Sequence, residues 1–174
     1  IALYPDSIGM IFSGSAVLDK NNTSGLGRGG VAPLVAIFTQ HYMPGEKAGK
    51  TDFQNQSIAF SLDQGKTWTK YAGNPVLKTP NIKDFRDPKV IWYAPTQKWI
   101  MSLAAGQEIQ YFESQNLLSW SYLSSFGQGI GNHDGVWECP DLFPLPVNGT
   151  QARKWVQLVS INPGGPNGGS ATQY

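Results

Sequence analysis

The sequence predicts an all-β fold, about three blades of a β-propeller, and three observations predict it. Its 174 residues include 20 Gly and 12 Pro, which favours short strands and turns over long helices. Its apolar runs are short, rich in β-branched and aromatic residues and bounded by turn residues, and no segment keeps a helical period for three turns. The runs also recur in sets at a spacing of about 50 residues, the length of a four-stranded propeller blade.

The first unit opens at Phe12 and carries strands over 16–18, 33–39 and 57–61. The second opens at Arg86, with strands over 89–93, 99–103 and 109–112. The third opens at Glu138, and its second strand covers 155–160. The copies are visible in the text: Asp87-Pro88-Lys89-Val90-Ile91-Trp92, a turn and Lys98-Trp99-Ile100-Met101 parallel Cys139-Pro140-Asp141-Leu142-Phe143, a turn and Lys154-Trp155-Val156-Gln157. The third strand of a unit ends in a turn, Ser61-Leu62-Asp63-Gln64-Gly65-Lys66-Thr67-Trp68, with a looser echo in Ser114-Gln115-Asn116-Leu117-Leu118-Ser119-Trp120. The first copy matches the Asp-box turn of sialidase-like propellers, a structural turn in which Asp accepts backbone N–H groups and Gly takes a positive φ. A Gly-rich loop over 163–170 then leads to a strand starting at 171. Three blades leave open edges, and both Ile1 and Tyr174 look like cut ends, so the chain reads as a piece of a longer protein.

Composition narrows the function. Charged residues are 14% and aromatics 12%, with a formal net charge of +1, so there is no basic field for nucleic acid. One cysteine and two histidines exclude a disulfide framework, a Cys-based zinc cluster and a His-rich metal site. No apolar run approaches the roughly 20 residues of a membrane-spanning helix.

Each unit opens with a polar knot just before its first apolar strand: Phe12-Ser13-Gly14-Ser15, Phe85-Arg86-Asp87-Pro88 and Trp137-Glu138-Cys139-Pro140. First strands of propeller blades line the central channel, so equivalent positions converge near the axis. One Asp and one Glu, each near an aromatic, then meet at one mouth. Glycosidic bond cleavage needs such a pair, one carboxyl to protonate the leaving oxygen and one to meet positive charge developing on the sugar. The plain readings are an Arg86–Asp87 ion pair closing a turn and a Glu138 that caps a backbone N–H. Three knots in register favour function.

These motifs resemble three signature motifs of glycoside hydrolase family 32, the invertases, inulinases, levanases and related fructosyltransferases. Asp19-Lys20-Asn21-Asn22-Thr23-Ser24-Gly25, Gln56-Ser57-Ile58-Ala59-Phe60-Ser61 and Asn162-Pro163-Gly164-Gly165 are similar to family text as well. The resemblance implies part of a five-bladed propeller, with residues 1–174 forming a partial catalytic domain and the remaining blades and a β-sandwich lying outside. It implies hydrolysis with retention of a fructose-containing oligo- or polysaccharide, without cofactor or metal, by a secreted protein. Asp87 would hold fructose hydroxyls and stabilise the transition state, and Glu138 would be the general acid/base. Arg86 would orient the sugar and the carboxylates. Phe12 and Ser13 would wall the fructose subsite, and Cys139 would tune the neighbouring glutamate. On chemistry alone Cys139 reads as a small buried hydrophobe.

The family's nucleophile, the first Asp of a Trp-Met-Asn-Asp-Pro-Asn-Gly motif, has no counterpart among these residues, so the chain alone is expected not to turn over substrate. An inverting arabinanase-like hydrolase and a non-catalytic fructan-binding homologue are the alternatives. A sialidase would need an arginine cluster, and Arg28, Arg86 and Arg153 are out of register. His133-Asp134 beside Trp137 reads as a solvated loop pair. Asn21, Asn22, Asn55 and Asn148 begin glycosylation sequons.

Overall fold

The computed structural model describes residues 1–174 as three antiparallel sheets laid side by side. The first has the order β1 (Met10–Leu18), β2 (Leu34–His41), β3 (Gln54–Ser61), β4 (Thr69–Lys70), with a short helix α1 (Met43–Lys47) between β2 and β3. The second runs β5 (Phe85–Tyr93), β6 (Lys98–Ala105), β7 (Ile109–Ser114), β8 (Ser121–Phe126). The third contains β9 (Val136–Pro146), β10 (Arg153–Asn162) and β11 (Ala171–Gln173). Each sheet is an up-and-down meander whose strands pair in chain order, which is the construction of a propeller blade. The first strands β1, β5 and β9 stand at one edge of their sheets and pack against one another, β1 on β5 and β5 on β9. That edge is therefore the inner one.

The blades are held face to face by apolar residues that alternate along the strands. Val35, Ile37, Phe85, Met101 and Leu103 are buried in the seam between the first two blades. Ala104, Ile109, Trp137, Val159 and Ile161 form the seam between the second and third. The expected strands over 16–18, 33–39, 57–61, 89–93, 99–103, 109–112 and 155–160 all lie in or overlap observed ones. β4, β8 and α1 carry no such signal. β8 is exposed along its whole length, so it has no apolar alternation to read.

The expected placement of the polar knots needs correction. They lie inside the first strands, not before them, and each sits on a one-residue bulge. In β1 the register moves from Ile11↔Gln40 to Gly14↔Phe38. In β5 it moves from Arg86↔Ala104 to Lys89↔Ser102, and in β9 from Asp141↔Leu158 to Glu138↔Ser160. In every case three steps on the inner strand oppose two on its partner. The bulge explains the residues that occupy it. Pro88 and Pro140 have no N–H to lose there, and β5 and β9 are edge strands that tolerate proline. At the first bulge a Cβ on Gly14 would come within 2.0 Å of the Ile37 carbonyl oxygen, so only glycine fits.

The two turn copies share one bonding scheme, the second being one residue shorter. Ser61 Oγ accepts the Gly65 N–H at 2.8 Å, Asp63 accepts the Thr67 N–H at 2.9 Å, and the Trp68 indole donates to the Gly65 carbonyl at 3.0 Å. In the second blade Ser114 Oγ accepts the Leu117 N–H at 2.8 Å, Asn116 accepts the Ser119 N–H at 3.0 Å, and Trp120 donates to the Leu117 carbonyl at 3.1 Å. Leu117, at φ 63°, takes the part of Gly65 at φ 85°. Hydrogen bonds from Thr67 and Ser61 pull the Asp63 carboxyl down to about 2 from an ordinary 3.8. A depressed pKa means the turn's contribution is complete above the unfolded value and is lost as pH falls through about 2. An NMR titration should find Asp63 midway near 2 in the wild type and closer to 3.8 in Thr67→Ala. An unchanged midpoint in the variant would discount the Thr67 hydroxyl bond, the backbone N–H bond being kept.

Candidate functional site

The three bulges bring the polar knots together. Asp87 and Glu138 come from adjacent inner strands, and each is held from the neighbouring blade. Arg86 reaches across the seam and donates to Glu138 Oε1 at 3.0 Å. Its other terminal nitrogen donates to Asp84, in the turn immediately before β5. Burial lowers the guanidinium's proton affinity, but the bonds to Asp84 and Glu138 outweigh it and hold the pKa above its ordinary value. Arg86 is thus a fixed cation between two carboxylates, its side chain only 13% exposed against 31% for Glu138. It does not pair with Asp87, so the local ion pair allowed by the sequence is not formed.

Asp87 is buried and touches the blades on either side. Its N–H donates to Thr39 Oγ1 of the first blade at 3.0 Å. Its Oδ2 accepts the Cys139 N–H of the third blade at 2.9 Å and the Cys139 thiol at 3.5 Å. Both Asp87 and Cys139 have left-handed backbones, at φ 63° and φ 48°. Such a conformation costs about 1–2 kcal/mol for a residue with a Cβ. These cross-blade bonds offset it, and strain of this kind gathers at functional sites.

Cys139 is exposed, which corrects its reading as a small buried hydrophobe. Proximity to Asp87 and Glu138 explains the residue's chemistry better than packing does. Local desolvation, then the negative Asp87 beside it, push the thiol up to about 11. It therefore stays protonated at neutral pH and donates to Asp87.

A cleft of about 450 Å³ opens between β1, β5 and β9, lined by Ser13, Asp87, Lys89, Cys139 and Asp141 among others. Lys89 and Asp141 bridge it at 2.8 Å. Ser15 Oγ donates to the Pro88 carbonyl at 2.9 Å and accepts the Val90 N–H at 3.0 Å, tying β1 to the β5 bulge. Phe12, Arg86 and Glu138 lie outside this cleft. Phe12 is stacked on His41, centroids 4.4 Å apart and planes within 8°. His133 stacks on Trp137 and its Nε2 lies 3.0 Å from the Ile130 carbonyl oxygen, so it serves its own loop.

The sequence reading missed the supports of the site. Gln56 donates to the Phe85 carbonyl and accepts from Thr39, both at 2.8 Å, while Gln54 accepts the Phe85 N–H at 2.9 Å. Thr39, Gln40, His41, Gln54, Gln56 and Ser57 are all buried. Their signal was present: two polar runs continue two apolar strands at the end nearest the knots. Buried polar side chains in that position need partners, and Thr39, Gln54 and Gln56 find theirs on β5.

Adjacent inner strands thus bring Asp87 and the Arg86-held Glu138 to one edge of an all-β propeller segment. Residues 1–174 match the glycosyl hydrolases family 32 N-terminal domain, and the chain belongs to that family. It contributes three blades of the family's five-bladed propeller. It is 57% identical to a levanase of Bacillus subtilis across 100% of this chain and 25% of the levanase. It is 46% identical to an extracellular exo-inulinase of Aspergillus niger, across 95% of this chain and 34% of that protein. Among solved structures it is similar to the exo-inulinase of Aspergillus awamori, with TM-score 0.84, 42% identity and coverage of 94% of this chain and 35% of that one. A β-fructofuranosidase of Schwanniomyces occidentalis complexed with fructosyl-erythritol gives TM-score 0.83 and 43% identity over 94% of this chain and 31% of that one. The chain thus spans a quarter to about a third of the length of these relatives.

Proposed function

We propose that residues 1–174 are part of the catalytic propeller domain of a secreted retaining β-fructosidase, with the remaining blades and a β-sandwich elsewhere in the protein. The protein releases fructose from levan, inulin or sucrose. Glu138 gives its proton to the glycosidic oxygen as that bond breaks, and a nucleophilic carboxylate from outside these residues bonds to the fructosyl carbon. Glu138, now ionised, takes a proton from the water that releases fructose. Asp87 holds fructose hydroxyls as positive charge builds on the ring. Arg86 orients Glu138, Phe12 and Ser13 wall the subsite, and Cys139 lies beside both carboxylates.

The observation that supports this reading is the Arg86–Glu138 contact at 3.0 Å beside the Asp87–Cys139 bond at 2.9 Å: because Glu138 and Cys139 are consecutive, both carboxylates flank the same seam between β5 and β9. The test is the anomer first formed. With the full-length protein and sucrose, NMR during the first turnovers should show β-fructofuranose ahead of mutarotation. The α anomer would favour the inverting alternative, in which the acid and base carboxyls stand about 6.5–9.5 Å apart. No release from sucrose, inulin or levan would favour the binding homologue.

A further inference from the structure

His41 is a buried titratable residue to which the mechanism above gives no role. It is 3% exposed, and its ring lies under Phe12 and meets the edge of Phe53 at 5.1 Å. Both ring nitrogens are engaged. Nδ1 is 3.1 Å from Gln54 Nε2, and Nε2 is 3.1 Å from Glu46 Oε2 on α1.

The hydrogen bonds determine which nitrogen carries the proton. The Phe85 N–H can only donate, so the Gln54 atom facing it at 2.9 Å is the carbonyl oxygen. The same oxygen faces an Arg86 terminal nitrogen at 3.5 Å. The Gln54 NH₂ therefore points at His41 and donates to Nδ1. Nδ1 is an acceptor, and the proton sits on Nε2, where it is donated to Glu46. In the series Glu46–His41–Gln54–Arg86–Glu138 the donors run outward from Arg86, to Glu138 on one side and through Gln54 and His41 to Glu46 on the other, and its parts come from α1, β2, β3, β5 and β9. Each contact fixes the orientation of the next group.

We propose that His41 is a positioning residue with two separable tasks: its ring props Phe12, and its Nδ1 holds the Gln54 amide in the orientation that seats Phe85 and Arg86 for Glu138. This rests on the reading of Arg86, Glu138 and Phe12 given above. Loss of the ring loosens a wall of the sugar site and is felt in KM. Loss of the Nδ1 acceptor frees the Gln54 amide to rotate, misplaces Arg86 and is felt in kcat.

Two substitutions separate the tasks, measured on the full-length protein with sucrose as the probe. His41→Phe keeps a ring against Phe12 but cannot accept from Gln54, and kcat should fall about tenfold or more with KM little changed. His41→Asn keeps an acceptor near the Nδ1 position but removes the ring, and KM should rise about fivefold or more with kcat close to wild type. Gln54→Met, which cuts the same link from the other side, replaces His41→Phe if that variant does not fold, and should reproduce its kcat loss. A proportional loss in both His41 variants, or none in either, overturns the proposal, because a purely structural residue predicts no opposite split. Glu138→Gln is measured in parallel. Unchanged kcat there overturns the underlying site reading. A large loss there with a wild-type His41→Phe overturns only the role of His41.

Discussion

Replacing Glu138 by Gln in the full-length protein should lower kcat on sucrose or fructan by about 10²–10⁴-fold, the usual worth of general acid catalysis. The substitution keeps the shape of the side chain, and Arg86 can still donate to the remaining carbonyl oxygen, as it does to Glu138 Oε1 at 3.0 Å. Asp84 continues to balance the guanidinium, so the seam between the blades should hold. What is lost is the proton, and that loss is confined to the steps that transfer it. A fructoside with a good leaving group should therefore recover part of the first step, because its oxygen departs without assistance. Turnover that stays at the wild-type level on both kinds of substrate would remove Glu138 from the mechanism.

Asp87→Asn should lower kcat by at least about 10²-fold, roughly 2.7 kcal/mol. One carboxylate oxygen, Oδ2, is committed to the Cys139 N–H and thiol, so the other is the one available to fructose hydroxyls. Charge-assisted bonds from those hydroxyls strengthen as the ring gains positive charge, which lowers the barrier instead of merely tightening binding. Asparagine tolerates the left-handed backbone at φ 63° and can turn its oxygen toward Cys139, so the fold has little reason to change. Its melting temperature should move by only a few degrees. A turn-stabilising aspartate would give the opposite pattern, and normal kcat with a collapsed melting temperature would sink the assignment. The same preparation serves both measurements.

The repeat was legible because it is written in strand text and in a turn. Asp87-Pro88 and Cys139-Pro140 mark equivalent bulges, and Trp68 and Trp120 close equivalent hairpins. Register then brought Asp87 and Glu138 together without any contact being known. The bulge itself was not legible, since a one-residue shift in pairing leaves no mark on apolar alternation. Nor was the exposure of Cys139, because its neighbours Trp137 and Pro140 are buried and only the left-handed backbone turns it out. Asp84 lies in the turn before β5, where no strand alternation marks it as a partner of Arg86. Thr39, His41 and Gln54 could have been suspected as polar extensions of apolar strands, but Thr39 and Gln54 find partners in the second blade, and His41 meets Phe12, Phe53, Glu46 and Gln54 only once the first blade is packed. Only the packing of the blades identifies them.

The three bulges occupy equivalent places around one axis, yet what sits in them differs: Phe12-Ser13, Asp87-Pro88 and Cys139-Pro140, with Arg86 and Glu138 at the shoulders. Backbone pairing supplies the seat, and the side chain supplied to each seat is a separate choice. A carboxylate, a cation or an aromatic ring can be exchanged at one seat without redrawing the ladder that makes the others. Location and chemistry are thereby uncoupled, so a repeating scaffold can carry a site in which no two members do the same thing.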